Sequence, residues 1–183
     1  MSKTTTVDEV LNFWFNECSP EQWYKKDADF DAFIFRRFES AVSAALKAEL
    51  EVSQTDLKGC VAIILMLDPF TRNIFRNTPW AFFGDKKALE LSLVCHDQGY
   101  LQHDHPTYRQ FMLMPMMHIE DIAIQDQSLT LFKEFSSERI YKYAIKHRDI
   151  IQRFGRFPHR NEILGRISTE EEIEFLKQLG SSF

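Results

Sequence analysis

Apolar residues recur at intervals of three and four along nearly the whole chain, whereas the alternation typical of β-strands is almost absent. Residues 27–50 keep this helical spacing throughout their length. Residues 57–67 are apolar on nearly every side, which is typical of a central buried helix. The pattern predicts an all-α fold, arranged as one compact helical domain over residues 1–183 with no recognisable boundary. Successive short helix pairs are also compatible with a solenoid-like array.

Capping side chains and helix-breaking residues predict where these helices begin and end. The first helix is expected to stop near Ser19-Pro20, and a later one to be capped by Ser53, Gln54, Thr55 or Asp56. Asp85 is a candidate cap for a helix that ends at Gly99, and Pro106 suits the first turn of the next helix, which Pro115 should kink or interrupt. Ser136 or Ser137 should start a helix that stops at Gly155, and Ser168-Thr169-Glu170-Glu171 is a capping box for a helix through Leu179.

Composition narrows the class of protein. With 44% hydrophobic residues, 17 Phe and three Trp, the chain is expected to have a core rich in aromatic rings. Cys18, Cys60 and Cys95 are widely spaced and form no Cys-x-x-Cys pair, which favours buried thiols in a reducing cytoplasm. The first residues lack the apolar region of a secretory signal, and the apolar run at 60–67 is too short to cross a bilayer. We therefore expect a soluble cytoplasmic protein without membrane contact.

Positive charge is concentrated in residues 139–166 of an acidic chain. This segment has eight Lys or Arg and two acidic residues, whereas the whole chain has a net charge of −5. Such a concentration indicates an anionic partner, which is either an internal carboxylate cluster or an external ligand. Nucleic acid is not an expected partner, because the chain is acidic and has no extended basic stripe with interleaved aromatic residues.

The first of four polar clusters follows the buried helix, at residues 68–76. Asp68, Arg72 and Arg76 are four positions apart, so a helical continuation places them on one face. Pro69 suits the first turn of such a helix. An acid at the end of a buried helix needs a partner, so we expect an ion pair between Asp68 and Arg72. Asn73 belongs to the same cluster as a candidate ligand-binding residue.

The second cluster contains His118 with two acids close behind it, Glu120 and Asp121. His118 is predicted near the apolar face of its helix. A histidine in this setting is a general base, a metal ligand or a hydrogen-bonded core residue. The spacing matches no established zinc or di-iron motif, so we expect no metal.

The third cluster lies inside a helix and contains His147, Arg148 and Asp149. His147 shares a helix face with apolar residues and is predicted to point toward the core. Arg148 and Asp149 are predicted to point to different sides of the helix, so they need not pair with each other.

The fourth cluster is the run Arg153-Phe154-Gly155-Arg156-Phe157-Pro158-His159-Arg160-Asn161. Gly155 and Pro158 predict a helix stop followed by a tight loop, and Asn161 is a candidate N-cap for a helix from Glu162. Guanidinium groups beside a helix start can bind a carboxylate or phosphate. The alternative is an internal staple, in which these arginines bind carboxylates and helix ends of the same chain.

Taken together, the four clusters resemble a known bacterial family, the domain-of-unknown-function 924 family. Its members contain Leu-Asp-Gln-Phe-Pro-Arg-Asn, then Pro-x-x-His-Ser-Glu, then His-Arg-Asp-Ile-Ile-x-Arg-Phe-Gly-Arg-Phe-Pro-His-Arg-Asn, and the counterparts here are residues 67–73, 115–120 and 147–161. Supporting matches extend from residues 11–15 to 163–166 and to Phe183. The resemblance implies an all-α fold similar to tetratricopeptide-like helical arrays, a bacterial source and no established activity. It supplies no catalytic residues.

Four positions depart from the family pattern. Pro69 and Thr71 replace Gln and Pro, Ile119 replaces Ser, and Asn77 stands where Gly is common. If the missing Gln and Ser contact a ligand in other members, this chain binds that ligand differently or not at all.

Three hypotheses on function follow. The leading one is a binding module with an Arg- and His-lined pocket for a small anion, phosphate or carboxylate, or for an acidic peptide end. The second is a hydrolase or transferase for a phosphorylated or carboxylated metabolite, with His118 and Glu120 as acid and base. The third is a protein-interaction scaffold in which the clusters are structural. No cofactor is expected, and the sequence does not indicate an oligomeric state. The candidate ligand-binding residues are Asp68, Arg72, Asn73, Arg76, His118, Glu120, His147, Arg148, Arg153, Arg156, His159 and Arg160.

Overall fold

A computed structural model describes residues 5–50 and 56–182, and this part of the chain is helical and contains no strand, which confirms the predicted all-α fold. The helices are α1 (Val7–Asn12), α2 (Ala28–Leu46), α3 (Leu57–Leu67), α4 (Pro69–Ile74), α5 (Asp85–Asp97), α6 (Pro106–His118), α7 (Ile122–Phe135), α8 (Glu138–Phe154) and α9 (Glu170–Leu176). A π-helical turn (Phe13–Glu17) extends α1, and short 3-10 helices lie at Pro79–Phe82, Tyr100–Gln102 and Pro158–Arg160.

Two side-chain caps lie where the sequence predicts them, since Asp56 caps α3 and Ser137 caps α8. The capping box of α9 is formed by Thr169 and Glu172, one position later than the predicted box, and the helix ends at Leu176 rather than Leu179. The other candidates for the α3 cap, at positions 53–55, lie outside the described residues. Helix α8 ends as predicted at Gly155, whose φ of 68° is in the left-handed region that glycine adopts without strain.

The cap predicted at Asp85 is wrong, because Gly84 occupies the N-cap position and Asp85 is the first residue of α5. A Cβ atom on Gly84 would lie 2.2 Å from the backbone oxygen of Leu67, so the start of α5 approaches the end of α3 too closely for any larger residue. This approach brings the Asp85 carboxylate into the protein interior, where it pairs with Arg72 and Arg160.

Two further expectations about the backbone are corrected. Helix α6 is not interrupted at Pro115 but runs through it, and the hydroxyl of Ser92 in α5 donates a hydrogen bond to the Met112 carbonyl in the preceding turn. Asn161 caps no helix, since its side-chain oxygen accepts a hydrogen bond from Arg166 and residues 161–165 form turns.

The core is centred on α3, in which every residue from Gly59 to Leu67 is buried. Helices α1, α2, α5 and α6 contact it from different sides. A cluster of rings from the π-helical turn after α1 and from α2, α4 and α6 extends this core, which agrees with the aromatic composition. Cys18, Cys60 and Cys95 are buried thiols, as predicted, and none of the three forms a disulfide bond within the described residues.

A smaller apolar cluster holds the C-terminal segment against α8. Ile150, Ile151 and Phe157 are buried together, with Phe154 and Phe175 packed against them. This packing places the 3-10 helix at Pro158–Arg160 beside α6, where its side chains meet those of the other polar clusters. No helix within residues 5–50 and 56–182 is long and apolar enough to cross a membrane.

Candidate functional site

The four sequence clusters meet around one cavity of about 860 Å³. It lies between α4, α6, α8, the 3-10 helix at Pro158–Arg160 and the segment before α2. Eight of the twelve candidate residues line it, and these are Asp68, Arg72, Asn73, Arg76, His118, His147, His159 and Arg160.

Asp68 is the central acid of the cavity. It lies between α3 and α4 and is only 1% exposed. One carboxylate oxygen lies 3.1 Å from Arg72 Nη1, which confirms the predicted ion pair, and the other lies 2.7 Å from His118 Nδ1. Burial raises the pKa of a carboxyl group, but the charges of Arg72, His118 and Arg160 outweigh burial and lower the pKa of Asp68 to about 2. The carboxylate is therefore ionised at neutral pH.

Arg160 forms the other buried part of this network. Its guanidinium lies 4.5 Å from the ring centroids of both Phe82 and Phe157, and it donates hydrogen bonds to Asp85 and to the His118 carbonyl. Burial and the nearby charge of Arg72 lower the pKa of Arg160 to about 10. Its Nε is buried and has no hydrogen-bond partner among the described residues. Arg160 thus fixes the 158–160 turn against α5 and α6.

The cavity contains a second buried imidazole. The His147 ring centroid lies 5.8 Å from that of His118, and His147 Nδ1 donates a hydrogen bond to the Tyr143 carbonyl at 2.8 Å. Burial, and then the charge of His118, lower the pKa of His147 to about 3. Burial and the charge of Arg160 likewise lower the pKa of His159 to about 4. His147 and His159 are therefore neutral at physiological pH, and they offer hydrogen bonds rather than charge.

Asp31 of α2 binds Asn73 and Arg76, the two residues of the first cluster that lie farthest from Asp68 in the chain. Its carboxylate accepts hydrogen bonds from Arg76 Nη2 at 2.7 Å and from Asn73 Nδ2 at 2.8 Å. Asn77 follows with a φ of 62°, in the left-handed region that Asn tolerates and Gly prefers. This backbone conformation explains why Asn can stand where the resembled family commonly has Gly.

Three exposed cations form the mouth of the cavity, and the sequence patterns did not indicate them as site residues. Lys25 and Lys26, just before α2, and Arg139, in the first turn of α8, are all exposed and line the cavity. Lys25 lies 3.4 Å from Asp27. Lys26 and Arg139 have no carboxylate within ion-pair distance among the described residues. The available signal was a Trp-Tyr-Lys-Lys run in a non-helical segment, which by itself has little specificity.

Apolar side chains form the deep wall of the cavity. Phe111, Met114 and Met117 of α6 and Ile140 of α8 line it and are buried or nearly so. The Trp23 ring packs edge-on against Phe111, with 5.2 Å between the centroids. The cavity therefore has an apolar wall beside its buried charged network, and exposed cations at its mouth.

Four of the candidate residues lie outside the cavity lining. Glu120 accepts hydrogen bonds from the Phe157 N–H at 2.7 Å and from Arg166 Nη1 at 2.6 Å. Burial raises the pKa of a carboxyl group, but these bonds outweigh it and lower the pKa of Glu120. The carboxylate bonded to His118 is that of Asp68, whereas Glu120, the acid named beside His118 in the catalytic hypothesis, is bonded to Phe157 and Arg166.

The other three residues outside the lining are arginines bound to acids of the same chain. Arg156 binds both carboxylate oxygens of Glu172, at 2.7 and 2.8 Å. Arg153 binds Glu171 of α9.

Arg148 binds Asp126 and also contacts Asp149, so the expectation that these two neighbours need not pair is corrected. Arg148 Nη1 donates a hydrogen bond to Asp149 Oδ1 at 3.2 Å, because the arginine side chain is long enough to reach the neighbouring face of the helix. These three arginines therefore match the internal-staple alternative.

The residues that depart from the family pattern have structural roles. Pro69 occupies the first turn of α4, as predicted, and lines the cavity. Thr71 donates a hydrogen bond to the Leu67 carbonyl, and Ile119 is the C-cap residue of α6.

No three His, Cys, Asp or Glu side chains in the described residues are grouped to bind a metal ion.

Comparison with known proteins places the chain in a family. The family model described as "Bacterial protein of unknown function (DUF924)" matches residues 10–180. The chain belongs to this family. DUF924 is thereby confirmed as the family that the three sequence blocks resemble. No curated protein matches the chain.

A solved structure supports the same fold. The chain is similar to a protein of unknown function, ATU0120, from Agrobacterium tumefaciens, with 36% sequence identity and a TM-score of 0.87. The match covers 93% of this chain and 96% of that chain. This DUF924 protein therefore shares its fold over nearly the full length of the neighbour.

Proposed function

We propose that this DUF924 protein is a binding module for a small anionic ligand, which occupies the cavity between α4, α6 and α8. The observation that carries the proposal is the charge of the lining, which has six Lys or Arg side chains against one carboxylate among the described residues. A cavity lined mainly by one sign of charge concentrates ligands of the opposite sign.

Internal pairing decides which of these cations bind the ligand. Asp68 and Asp85 neutralise Arg72 and Arg160, and Asp31 neutralises Arg76. Lys26 and Arg139 keep their charge at the cavity mouth, and both are solvent-exposed. The buried arginines therefore hold the cavity in shape, and the two mouth cations contact the anion.

Thermal unfolding in the presence of phosphorylated metabolites, carboxylates and acidic peptides tests the proposal. A ligand present at a hundred times its Kd stabilises the folded state by about 2.7 kcal/mol, which raises the Tm of a chain of this size by about 5–10 °C. We expect at least one anion to give such a rise.

The double variant Lys26→Ala/Arg139→Ala should lose most of the rise. Lys142→Ala is the matched control, because Lys142 is an exposed cation of α8 that lies outside the 860 Å³ cavity and pairs with Glu138. If no anion stabilises the protein, or if the double variant responds like the wild type, the proposal fails.

A second candidate function is acid–base catalysis, which the bond between His118 and Asp68 favours. A carboxylate that accepts the proton of Nδ1 leaves Nε2 as the nitrogen that exchanges a proton with a bound molecule or water. In a hydrolysis, Nε2 would take a proton from water, the oxygen would attack an acyl or phosphoryl centre, and the proton would pass to the leaving oxygen. Substrate turnover should disappear in His118→Asn and persist in His96→Asn, a variant of an exposed histidine on α5. Equal turnover in both variants would exclude His118 as the catalyst.

A further inference from the structure

The cavity also indicates what kind of anion it accepts, and this inference rests on the proposed function. Its volume of about 860 Å³ falls in the range of about 300–1,000 Å³ that is typical of sites for metabolite-sized molecules. Inorganic phosphate alone would leave most of this space unfilled. The anion is therefore one group on a larger body.

The cavity has one apolar wall and exposed cations at its mouth. Phe111, Met114 and Met117 lie in the interior wall, and Met114, the most accessible of the three, is 8% exposed. Lys26 and Arg139 are exposed at the mouth. A ligand that matches this arrangement has its charge at the mouth and an apolar body directed inward. The unbranched Met side chains can adapt to bodies of different shape.

The deep charges of the cavity are already balanced. Arg72 lies 3.1 Å from Asp68 and 3.0 Å from Asp85, and Arg160 lies 3.2 Å from Asp85. A second anionic group carried to this depth would compete with two buried carboxylates and would lose its own hydration. The arrangement therefore favours one acid group over two.

We propose that the ligand is an amphiphilic acid, a small molecule with a single carboxylate or phosphate monoester on an aliphatic or aromatic body. The acid group is held between Lys26 and Arg139, and the apolar body packs against Phe111, Met114, Met117 and Ile140. The apolar contacts contribute affinity in proportion to the area they bury.

Isothermal titration with a homologous series tests this assignment. The probes are acetate, hexanoate and octanoate, with octanamide as the neutral analogue, and inorganic phosphate with octyl phosphate as the phosphate arm. Each added methylene should raise affinity about fourfold, equivalent to about 0.8 kcal/mol, so octanoate should bind about 15-fold tighter than hexanoate. Octanamide should bind at least about tenfold more weakly than octanoate, which is equivalent to about 1.4 kcal/mol.

The outcomes separate the ligand class from the anion-binding function. If acetate or inorganic phosphate binds as tightly as octanoate or octyl phosphate, the amphiphilic class is wrong and anion binding stands. If small anions bind and none of the longer acids does, the amphiphilic class is again wrong. If octanamide binds as tightly as octanoate, or if no anion binds, both proposals fail.

A cavity-filling variant gives an independent check on the apolar wall. Met114→Trp places a larger side chain into the cavity, so the increase in affinity with chain length should disappear while acetate binding is unchanged. Ile140→Ala is the second variant if Met114→Trp does not fold, and it should weaken octanoate binding more than acetate binding. An undiminished chain-length dependence in a folded Met114→Trp variant would overturn the assignment of the apolar body to this wall.

Discussion

Replacement of Asp68 by asparagine removes the central charge of the cavity network. The carboxylate is buried, lies 3.1 Å from Arg72 and 2.7 Å from His118 Nδ1, and so contacts both groups at once. The amide keeps the shape of the side chain but cannot neutralise the guanidinium. Arg72 then retains Asp85 as its remaining ionic partner.

The expected loss of stability follows from this partial neutralisation. Breaking a buried ion pair costs about 3–5 kcal/mol, and because Asp85 still compensates Arg72, we expect a value near the lower limit, about 3 kcal/mol at pH 7. The pKa of Asp68 gives a second estimate of how much the charged carboxylate stabilises the folded protein. Its value of about 2, compared with about 3.9 in an unfolded chain, corresponds to about 2.5 kcal/mol.

The sign of the pH dependence is fixed by the direction of the shift. Because the folded-state pKa is lowered, the stabilisation by Asp68 is complete above about pH 4 and is lost as the pH falls toward 2. The difference between wild type and Asp68→Asn should therefore be constant from pH 7 to pH 5. It should shrink by about 1.2 kcal/mol by pH 3, which is about half of the pKa contribution.

Urea unfolding of both proteins at a series of pH values measures this difference directly. Other carboxylates titrate in both proteins, so their contributions cancel in the comparison. A difference below about 1 kcal/mol at pH 7, or one that stays constant down to pH 3, would refute the account of Asp68 as the buried counter-ion of this network.

Further predictions concern two arginines outside the cavity lining and the buried His147. Arg156→Ala should lower the free energy of unfolding, because it leaves the Glu172 carboxylate, only 2% exposed, without its two hydrogen bonds from Arg156. Arg148→Ala should lower it clearly less in the same urea experiment, since the acids that Arg148 binds are exposed, and equal losses in the two variants would contradict the assignment. In the unfolded chain His147 takes up a proton near pH 6.5, whereas in the folded protein, with a pKa of about 3, it does not. This difference should lower the free energy of unfolding of the wild type by about 2 kcal/mol between pH 7.5 and pH 5, and His147→Leu should remove that loss. If the free energy of unfolding falls equally with pH in wild type and His147→Leu, burial of this imidazole does not cause the loss of stability between pH 7.5 and pH 5.

The parts of the site that were predictable from sequence are those with a local cause. The ion pair between Asp68 and Arg72 follows from a spacing of four on one helix, and Ser137 and Gly155 follow from the chemistry of helix ends. The inward position of His147 follows from the apolar residues on its face, and the structure buries it.

The rest of the site depends on contacts between residues far apart in the chain. His118 binds Asp68, 50 positions away, instead of nearby Glu120, which the Phe157 N–H and Arg166 hold on the other side of the loop. Asp85 carries the local features of a helix cap, yet it serves as a counter-ion for Arg160, 75 positions away. Local patterns therefore identified the charged groups and one local ion pair, but could not assign the partners that lie far along the chain.

The mouth of the cavity carries still weaker sequence signals. Lys26 and Arg139 are ordinary exposed cations in their own segments, and they become a pair of interest only when the segment before α2 packs beside α8. Arg153 and Arg156 show the converse, since they belong to the most distinctive motif of the chain but bind acids at α9. A residue's place in a motif and its access to a ligand are thus separate questions.

The central claim is that the cavity binds an anion with an apolar body, and methionine methyl NMR tests it most directly. Met114 and Met117 line the cavity, whereas Met66 and Met112 are buried outside its lining and serve as internal controls. On titration with octanoate, we predict that the methyl resonances of Met114 and Met117 shift and saturate together, while those of Met66 and Met112 stay in place. Saturating shifts confined to Met66 or Met112, or no methyl shift at any octanoate concentration, would contradict the account.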